Sequence, residues 1–276
     1  MSETCAIIAG SGSFPRHVAQ EAKRQGLKVV AIGLKGWADP TLADEVDVYE
    51  EVAVGQLGQL IARLKAHHVR QAVMAGKVTK GILFDPRVQF DGETLGLLSH
   101  VREFSVNALL GAIGSRLAKE GVVLLDSSRF LTQGLCPAGA LTTRPPTVPE
   151  QDDIRVGMQA ARALASLDIG QTVVVKRRVV IAVEALEGTD ATIQRAGQLA
   201  GGELVVVKMA SSQQDMRFDL PVLGLRTMEV VAASGVTCLA VEAGKTLLLD
   251  RETLVARAND AKICLIGVES PDPRQA

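Results

Sequence analysis

The chain has 276 residues, 47% of them hydrophobic and only 3% aromatic, with mean hydropathy +0.21 and formal net charge -1. High apolar content with balanced charge excludes a disordered chain. The absence of a basic face and of stacking aromatics argues against a nucleic-acid partner. The longest run free of Asp, Glu, Lys and Arg is Phe130–Thr143, fourteen residues broken by Pro137 and too short to span a bilayer.

In chain order, Thr4–Ala9 is a short apolar run suited to a strand buried on both faces. It ends in Gly10-Ser11-Gly12-Ser13-Phe14-Pro15, after which an amphipathic helix runs from Pro15 to Gln25 and Gly26 closes it. Strands are expected at Leu27–Leu34, Glu45–Val52, Gln71–Ala75 and Gly121–Asp126, with helices at Leu57–His67 and Ser105–Glu120. This alternation implies a Rossmann-like parallel sheet over residues 1–133, with ligands collecting at the carboxyl ends of its strands. Residues 134–150 hold Pro137, Pro145, Pro146 and Pro149 and read as a stiff Pro-rich linker.

A second α/β domain with a mixed sheet is expected over 151–270, with residues 271–276 as a tail and Ser270–Ala276 frayed. Its helices fall at Asp152–Leu167, Thr189–Leu199, Thr227–Ala233 and Arg251–Asn259. Its strands fall at Gln171–Lys176, Arg178–Ala185, Glu203–Met209, Val236–Val241, Thr246–Leu249 and Ile263–Val268, the first two forming a hairpin. Cys5, Cys136, Cys238 and Cys264 form no CxxC pair and read as reduced, buried thiols of a cytoplasmic protein. His17, His67, His68 and His100 show no zinc spacing.

Several turns carry chemistry. Gly10-x-Gly12 follows a strand, but Pro15 and the lack of an acid at the end of strand two break the dinucleotide fingerprint. A Gly-rich turn before a helix N-terminus still suits an anion, and equally suits a tight turn with no ligand. Gly76-Lys77-Val78-Thr79-Lys80 offers cations and a hydroxyl to a phosphate, or is a solvated loop. Asp126-Ser127-Ser128 suits a ribose or a metal, or caps the next turn. Thr142-Thr143-Arg144 sets hydroxyls and a guanidinium on a Pro-rich frame.

Glu187-Gly188-Thr189-Asp190 follows a strand and reads as a helix cap or as ligands, Lys208 ends another strand, and Thr227 stands where a helix cap is expected. The long polar loop Ser211–Pro221 holds Arg217 and Asp219 around Phe218, so in an extended segment both point the same way. A carboxylate beside cations is what Mg²⁺-assisted phosphoryl chemistry needs; a surface ion pair is the plainer alternative.

The ordered set Gly10-Ser-Gly-Ser-Phe-Pro15, Gly76-Lys77, Leu141-Thr-Thr-Arg-Pro-Pro146, Glu187-Gly-Thr-Asp190 and Arg217-Phe-Asp-Leu-Pro221 resembles the LpxI-type UDP-2,3-diacylglucosamine pyrophosphatases, from about Cys5 to Val268. Where that family often has Lys-x-Gly-Gln-Asp before the last motif, this chain reads Ser211-Ser-Gln-Gln-Asp215.

The resemblance implies a two-domain, Mg²⁺-dependent enzyme of lipid A synthesis. It would cleave the diphosphate to UMP and 2,3-diacylglucosamine 1-phosphate (lipid X), with water attacking the sugar-side phosphorus. It maps the critical aspartate onto Asp219. On this reading Asp219 and Asp190 hold the metal, with Glu187 as the other candidate for second carboxylate. Lys77, Arg144, Lys208 and Arg217 face the diphosphate. Gly10, Ser11, Gly12, Ser13, Val78, Thr79, Asp126, Thr142, Thr143, Glu187, Thr189 and Thr227 complete the substrate site. Leu95–Leu98 and the helix Ser105–Glu120 are candidates for an acyl trough. The lipid substrate implies transient contact with the cytoplasmic face of the inner membrane, and a homodimer is compatible with the sequence. A general nucleotide-sugar pyrophosphatase and a non-catalytic nucleotide-sugar or lipid binding protein are the rival readings.

Overall fold

The computed structural model describes residues 3–99, 106–211 and 215–269, arranged as two compact units. The first comprises Met1–Thr132 together with the short segment Asp215–Asp219, and the second comprises Gln133–Gln214 and Leu220–Ala276. The chain is α/β, with a parallel sheet in the first unit and a mixed sheet in the second.

The first unit alternates β1 (Thr4–Ala9), α1 (Phe14–Arg24), β2 (Lys28–Leu34), β3 (Val48–Val52), α2 (Leu57–Ala66), β4 (Gln71–Ala75), α3 (Gly92–Leu98), α4 (Val106–Lys119) and β5 (Val123–Leu124). Its strands are all parallel, in the order β3-β2-β1-β4-β5. Chain direction across the sheet therefore reverses between β1 and β4, the switch point at which such sheets open a crevice. Cys5–Ala9 and Val29–Ile32 are fully buried, as expected of central strands covered on both faces. Helix α2 turns Leu57, Leu60, Ile61 and Leu64 inward, one stripe at helical spacing. Helix α1 starts at Phe14 with Pro15 in its first turn and Gly26 just beyond its end at φ +81. The sequence expectations lacked α3 and the 3-10 turns Pro40–Glu45, which Asp39 caps, and Lys80–Phe84.

The second unit comprises β6 (Gly139–Ala140), α5 (Val148–Ser166), β7 (Thr172–Lys176), β8 (Val179–Val183), α6 (Thr189–Ala200), β9 (Leu204–Lys208), β10 (Val222–Leu223), α7 (Leu225–Ala233), β11 (Val236–Glu242), β12 (Leu247–Leu248), α8 (Arg251–Asp260) and β13 (Cys264–Val268). Its main sheet has the order β6-β13-β11-β9-β7-β8. Strands β13, β11 and β9 are parallel, β7–β8 is an antiparallel hairpin, and β10 pairs with β12 in a small separate sheet.

Residues 134–150, read from sequence as a linker, are built into this unit. Ala140 pairs with Ile266 at the sheet edge, Thr142 is buried, and α5 already begins at Val148. The helix starts early because Thr147 and Glu150 form a reciprocal capping box and Pro149 occupies the first turn, where no N–H is needed. All four cysteines are free and buried. Burial, with Glu3 adding to it, pushes the Cys5 thiol up to about 12, so it packs as an apolar group. Among the described residues no helix is long and apolar enough to cross a membrane. Ser105, His100, residues 212–214 and the expected tail 270–276 lie outside the described residues.

Candidate active site

At the switch point of the first unit, the loops after β1 and β4 are sewn to each other. Gly10 N–H donates to Ala75 O (2.8 Å), Ser11 N–H to Lys77 O (3.0 Å), Lys77 N–H to Ser11 O (2.9 Å), and Ser11 Oγ to Lys77 O (2.8 Å). A Cβ on Gly10 would stand 2.9 Å from Lys77 O, and one on Gly76 2.7 Å from the Gly10 carbonyl carbon. These two glycines therefore let backbone approach backbone. Gly10 and Ser11 have no amide left for a ligand. Gly12 and Ser13 stand at the positive end of α1, where no side chain caps the helix. Gly12 and Ser13 share a cavity of about 240 Å³ with Arg16, Asp39 and Thr41. Asp39, absent from the sequence expectations, accepts from Thr41, and Arg16 donates to the Thr41 hydroxyl (2.7 Å). Lys77 is exposed, with Val78 and Thr79 half-buried beside it.

Asp126 follows β5 and makes a local turn: its Oδ1 accepts from the Ser128 amide and hydroxyl, both at 2.7 Å. The capping alternative for this motif is the one observed. Its neighbour Ser127 instead contacts the segment Asp215–Asp219.

That segment is a tight turn, not the extended stretch expected. Phe218 N–H and Asp219 N–H both donate to Asp215 O, at 3.1 and 2.9 Å. Arg217 folds back onto Asp215, with Nε at 2.9 Å from Oδ1 and Nη2 at 2.5 Å from Oδ2, and its guanidinium lies 5.6 Å from the Phe218 ring centroid. Arg217 and Asp219 therefore do not pair side by side across Phe218. The Arg217 guanidinium holds the Asp215 carboxyl below its ordinary range. Asp219, assigned from sequence to the C-terminal domain, sits on a segment that packs within the first unit.

In the second unit a polar cluster closes the carboxyl end of β9. Lys208 Nζ donates to Thr189 Oγ1 (3.0 Å) and Thr172 Oγ1 (3.4 Å) and lies 3.9 Å from Glu184 Oε2. Thr189 Oγ1 donates in turn to Glu184 Oε1 (3.0 Å). The Lys208 and Glu184 side chains are only 10% and 13% exposed, so a buried cation faces a buried anion. Burial pushes the Glu184 carboxyl up, but Lys208, the two threonine hydroxyls and the Gln171 amide outweigh it, and the group is held below its ordinary range. Glu242, at the carboxyl end of β11, is buried as well and accepts from Ala210 N–H (2.8 Å) and Lys245 (2.8 Å). Sequence reasoning missed both acids; the signal was a lone Glu ending an apolar strand.

The remaining expected residues of this unit divide. Asp190 Oδ1 accepts from the Thr227 hydroxyl (2.8 Å) and its Oδ2 lies 3.7 Å from Arg226. Thr227 is therefore not the cap; α7 starts at Leu225, with Gly224 in the capping position. Glu187 is exposed and paired with Arg195 (2.7 Å).

Thr142, Thr143 and Arg144 sit at the opposite, amino edge of the parallel strands. Arg144 grips Glu150 with two N–H groups (2.8 and 2.9 Å), and donates to Lys262 O (3.2 Å) and to Thr237 O. Thr143 binds the Asn259 side chain, and Thr142 Oγ1 accepts from Leu265 N–H (3.0 Å). These three residues fasten the chain before α5 onto the sheet.

Among the described residues no three His, Cys, Asp or Glu side chains converge on one point; Mg²⁺ needs only one or two carboxylates, its other positions going to water and phosphate oxygens.

Apart from the segment Asp215–Asp219, the two units follow the two halves of a known family. Residues 4–133 match the LpxI N-terminal domain and residues 137–266 the LpxI C-terminal domain. The chain belongs to the LpxI family. It is 30% identical over 277 aligned positions, covering 95% of this chain and 96% of the other, to a Caulobacter vibrioides protein named UDP-2,3-diacylglucosamine pyrophosphatase LpxI. Among solved structures, the biotin carboxylase subunit of pyruvate carboxylase aligns with 72% of this chain and 42% of its own at 12% identity, with a TM-score of 0.25.

Proposed function

We propose that this chain is a hydrolase of phosphoric anhydride bonds that converts UDP-2,3-diacylglucosamine to UMP and 2,3-diacylglucosamine 1-phosphate, with Mg²⁺ as its ion. The observation that carries this reading is the full-length similarity, in both units, to the Caulobacter pyrophosphatase.

Water adds across the P–O–P bridge: its oxygen bonds to the sugar-side phosphorus, the bridging P–O bond breaks, and UMP leaves. Asp219 positions the attacking water and serves as a carboxylate ligand for the ion. Bound Mg²⁺ would polarise the diphosphate and offset the charge that develops on its oxygens. Lys208 supplies a cation oriented by Glu184, Thr172 and Thr189, so little reorganisation accompanies charge build-up. The amides of Gly12 and Ser13 at the uncapped start of α1, with Lys77 in the loop sewn to it, suit a phosphate of the nucleotide or sugar. In this reading the enzyme meets its lipid substrate at the cytoplasmic membrane face without spanning the bilayer.

The test is UMP release by the purified full chain with Mg²⁺. Asp219→Ala is expected to lower kcat by about 10³-fold or more with the circular dichroism spectrum unchanged. Wild-type turnover in Asp219→Ala would falsify the assignment. Equal efficiency on unacylated UDP-sugars would replace it with a general nucleotide-sugar pyrophosphatase.

A further inference from the structure

Ser127, which the sequence offers only as part of a ribose, metal or capping turn, holds the turn that carries Asp219 from outside. Ser127 is buried, 1% exposed, directly after Asp126. Its backbone N–H donates to Met216 O at 2.8 Å. Its hydroxyl lies 2.7 Å from Arg217 O and 2.7 Å from Met74 O. One O–H therefore serves two carbonyls, one on the turn and one at the end of β4. We propose that Ser127 is a positioning residue for Asp219: its amide and hydroxyl fix two successive carbonyls of the turn that presents that carboxylate.

The proposal rests on the assigned role of Asp219 and extends it to a residue that touches no substrate. Asp215 closes the turn from within, through its carbonyl to the Phe218 and Asp219 amides and its carboxylate to Arg217. Those bonds set the shape of the turn. Ser127 ties Met216 and Arg217 to the sheet that also carries the sewn Gly10–Lys77 loops. Serine suits the task because its hydroxyl sits one carbon from the backbone and reaches both carbonyls with little rotamer freedom to lose. The fixed carbonyl of Arg217 is two residues from Asp219, so its release moves the carboxylate directly. Misplacement of a reacting group by about 1 Å can cost on the order of 10²-fold in rate.

The experiment compares the full-length wild type with Ser127→Ala and with Leu60→Ala, which removes buried apolar contacts of α2 in the same unit. Steady-state kinetics on UDP-2,3-diacylglucosamine are read beside hydrogen exchange of the peptide spanning 215–221. Ser127→Ala is expected to lower kcat at least tenfold with KM within about twofold, and to speed exchange of that peptide at least fivefold over the rest of its unit. Leu60→Ala is expected to lower the melting temperature while keeping kcat within about twofold. Three outcomes overturn the proposal: kcat within twofold of wild type in Ser127→Ala, an equal loss of kcat in Leu60→Ala, or unchanged exchange of the 215–221 peptide. A wild type that releases no UMP defeats the functional reading alone, and the exchange result still decides whether Ser127 holds the turn.

Discussion

The two edges of the second unit's sheet carry the same kind of pair and put it to different use. At the amino edge, Arg144 grips Glu150 in a bidentate bridge and adds bonds to Lys262 O and Thr237 O. At the carboxyl edge, Lys208 faces Glu184 at 3.9 Å through two threonine hydroxyls. The first pair is rigid, planar and saturated by backbone carbonyls, which suits a fastening. The second is a compact ammonium with donors left to turn, at the edge of a parallel strand where ligands collect. A basic residue beside an acid therefore says little about function until its edge of the sheet is known.

The sharpest way to break this comparison is to neutralise each cation in turn. Lys208→Met is expected to lower kcat/KM by about 10²–10³-fold, and adding Glu184→Gln should recover stability but not turnover, read by melting curves beside kinetics. Arg144→Met should do the reverse. Leaving Glu150 buried and unpaired costs about 3–5 kcal/mol in denaturant unfolding, while kcat/KM of the folded protein stays within about threefold. If Arg144→Met abolishes turnover at unchanged stability, the division between the edges is wrong.

Acid titration sharpens the same point with a slightly smaller effect. Burial raises the Glu150 carboxyl, but Arg144, the Thr147 amide and the Thr237 and Thr147 groups outweigh it and bring it down to about 2 from an ordinary 4.5. A carboxyl depressed in the folded state stabilises above its unfolded pKa and loses that contribution as pH falls through the folded one. About 3 kcal/mol should thus disappear between roughly pH 5 and pH 2, and Glu150→Gln should flatten that part of the stability curve. The smallest expected effect is at Thr227→Val, which removes one hydrogen bond to Asp190 and should cost about 1 kcal/mol by chemical denaturation.

Much of the fold was legible because local signals agreed with the architecture. Apolar runs at β1, β2 and β4, Pro15 and Gly26 around α1, and the stripe of α2 all lie where periodicity and punctuation put them. The start of α5 was missed because Pro149 reads as a linker residue, although Thr147 and Glu150 spell a capping box three residues apart. The candidate site was legible in its turns and not in its pairings. That Gly10 serves the Lys77 loop, that Arg144 also binds Thr237 O, and that Asp215–Asp219 packs beside Ser127 are contacts between residues far apart in sequence. No spacing rule reaches them. Glu184 and Glu242 were overlooked for the same reason: an acid ending a strand becomes notable only when its partner on another strand is known.

The most direct measurement is turnover of UDP-2,3-diacylglucosamine by the full chain with Mg²⁺ in water enriched in heavy oxygen, with both products weighed by mass spectrometry. The expected result is UMP without label and 2,3-diacylglucosamine 1-phosphate carrying one labelled oxygen, lost together when Asp219 is replaced by Ala. Absence of turnover, or label in UMP, would contradict the assignment.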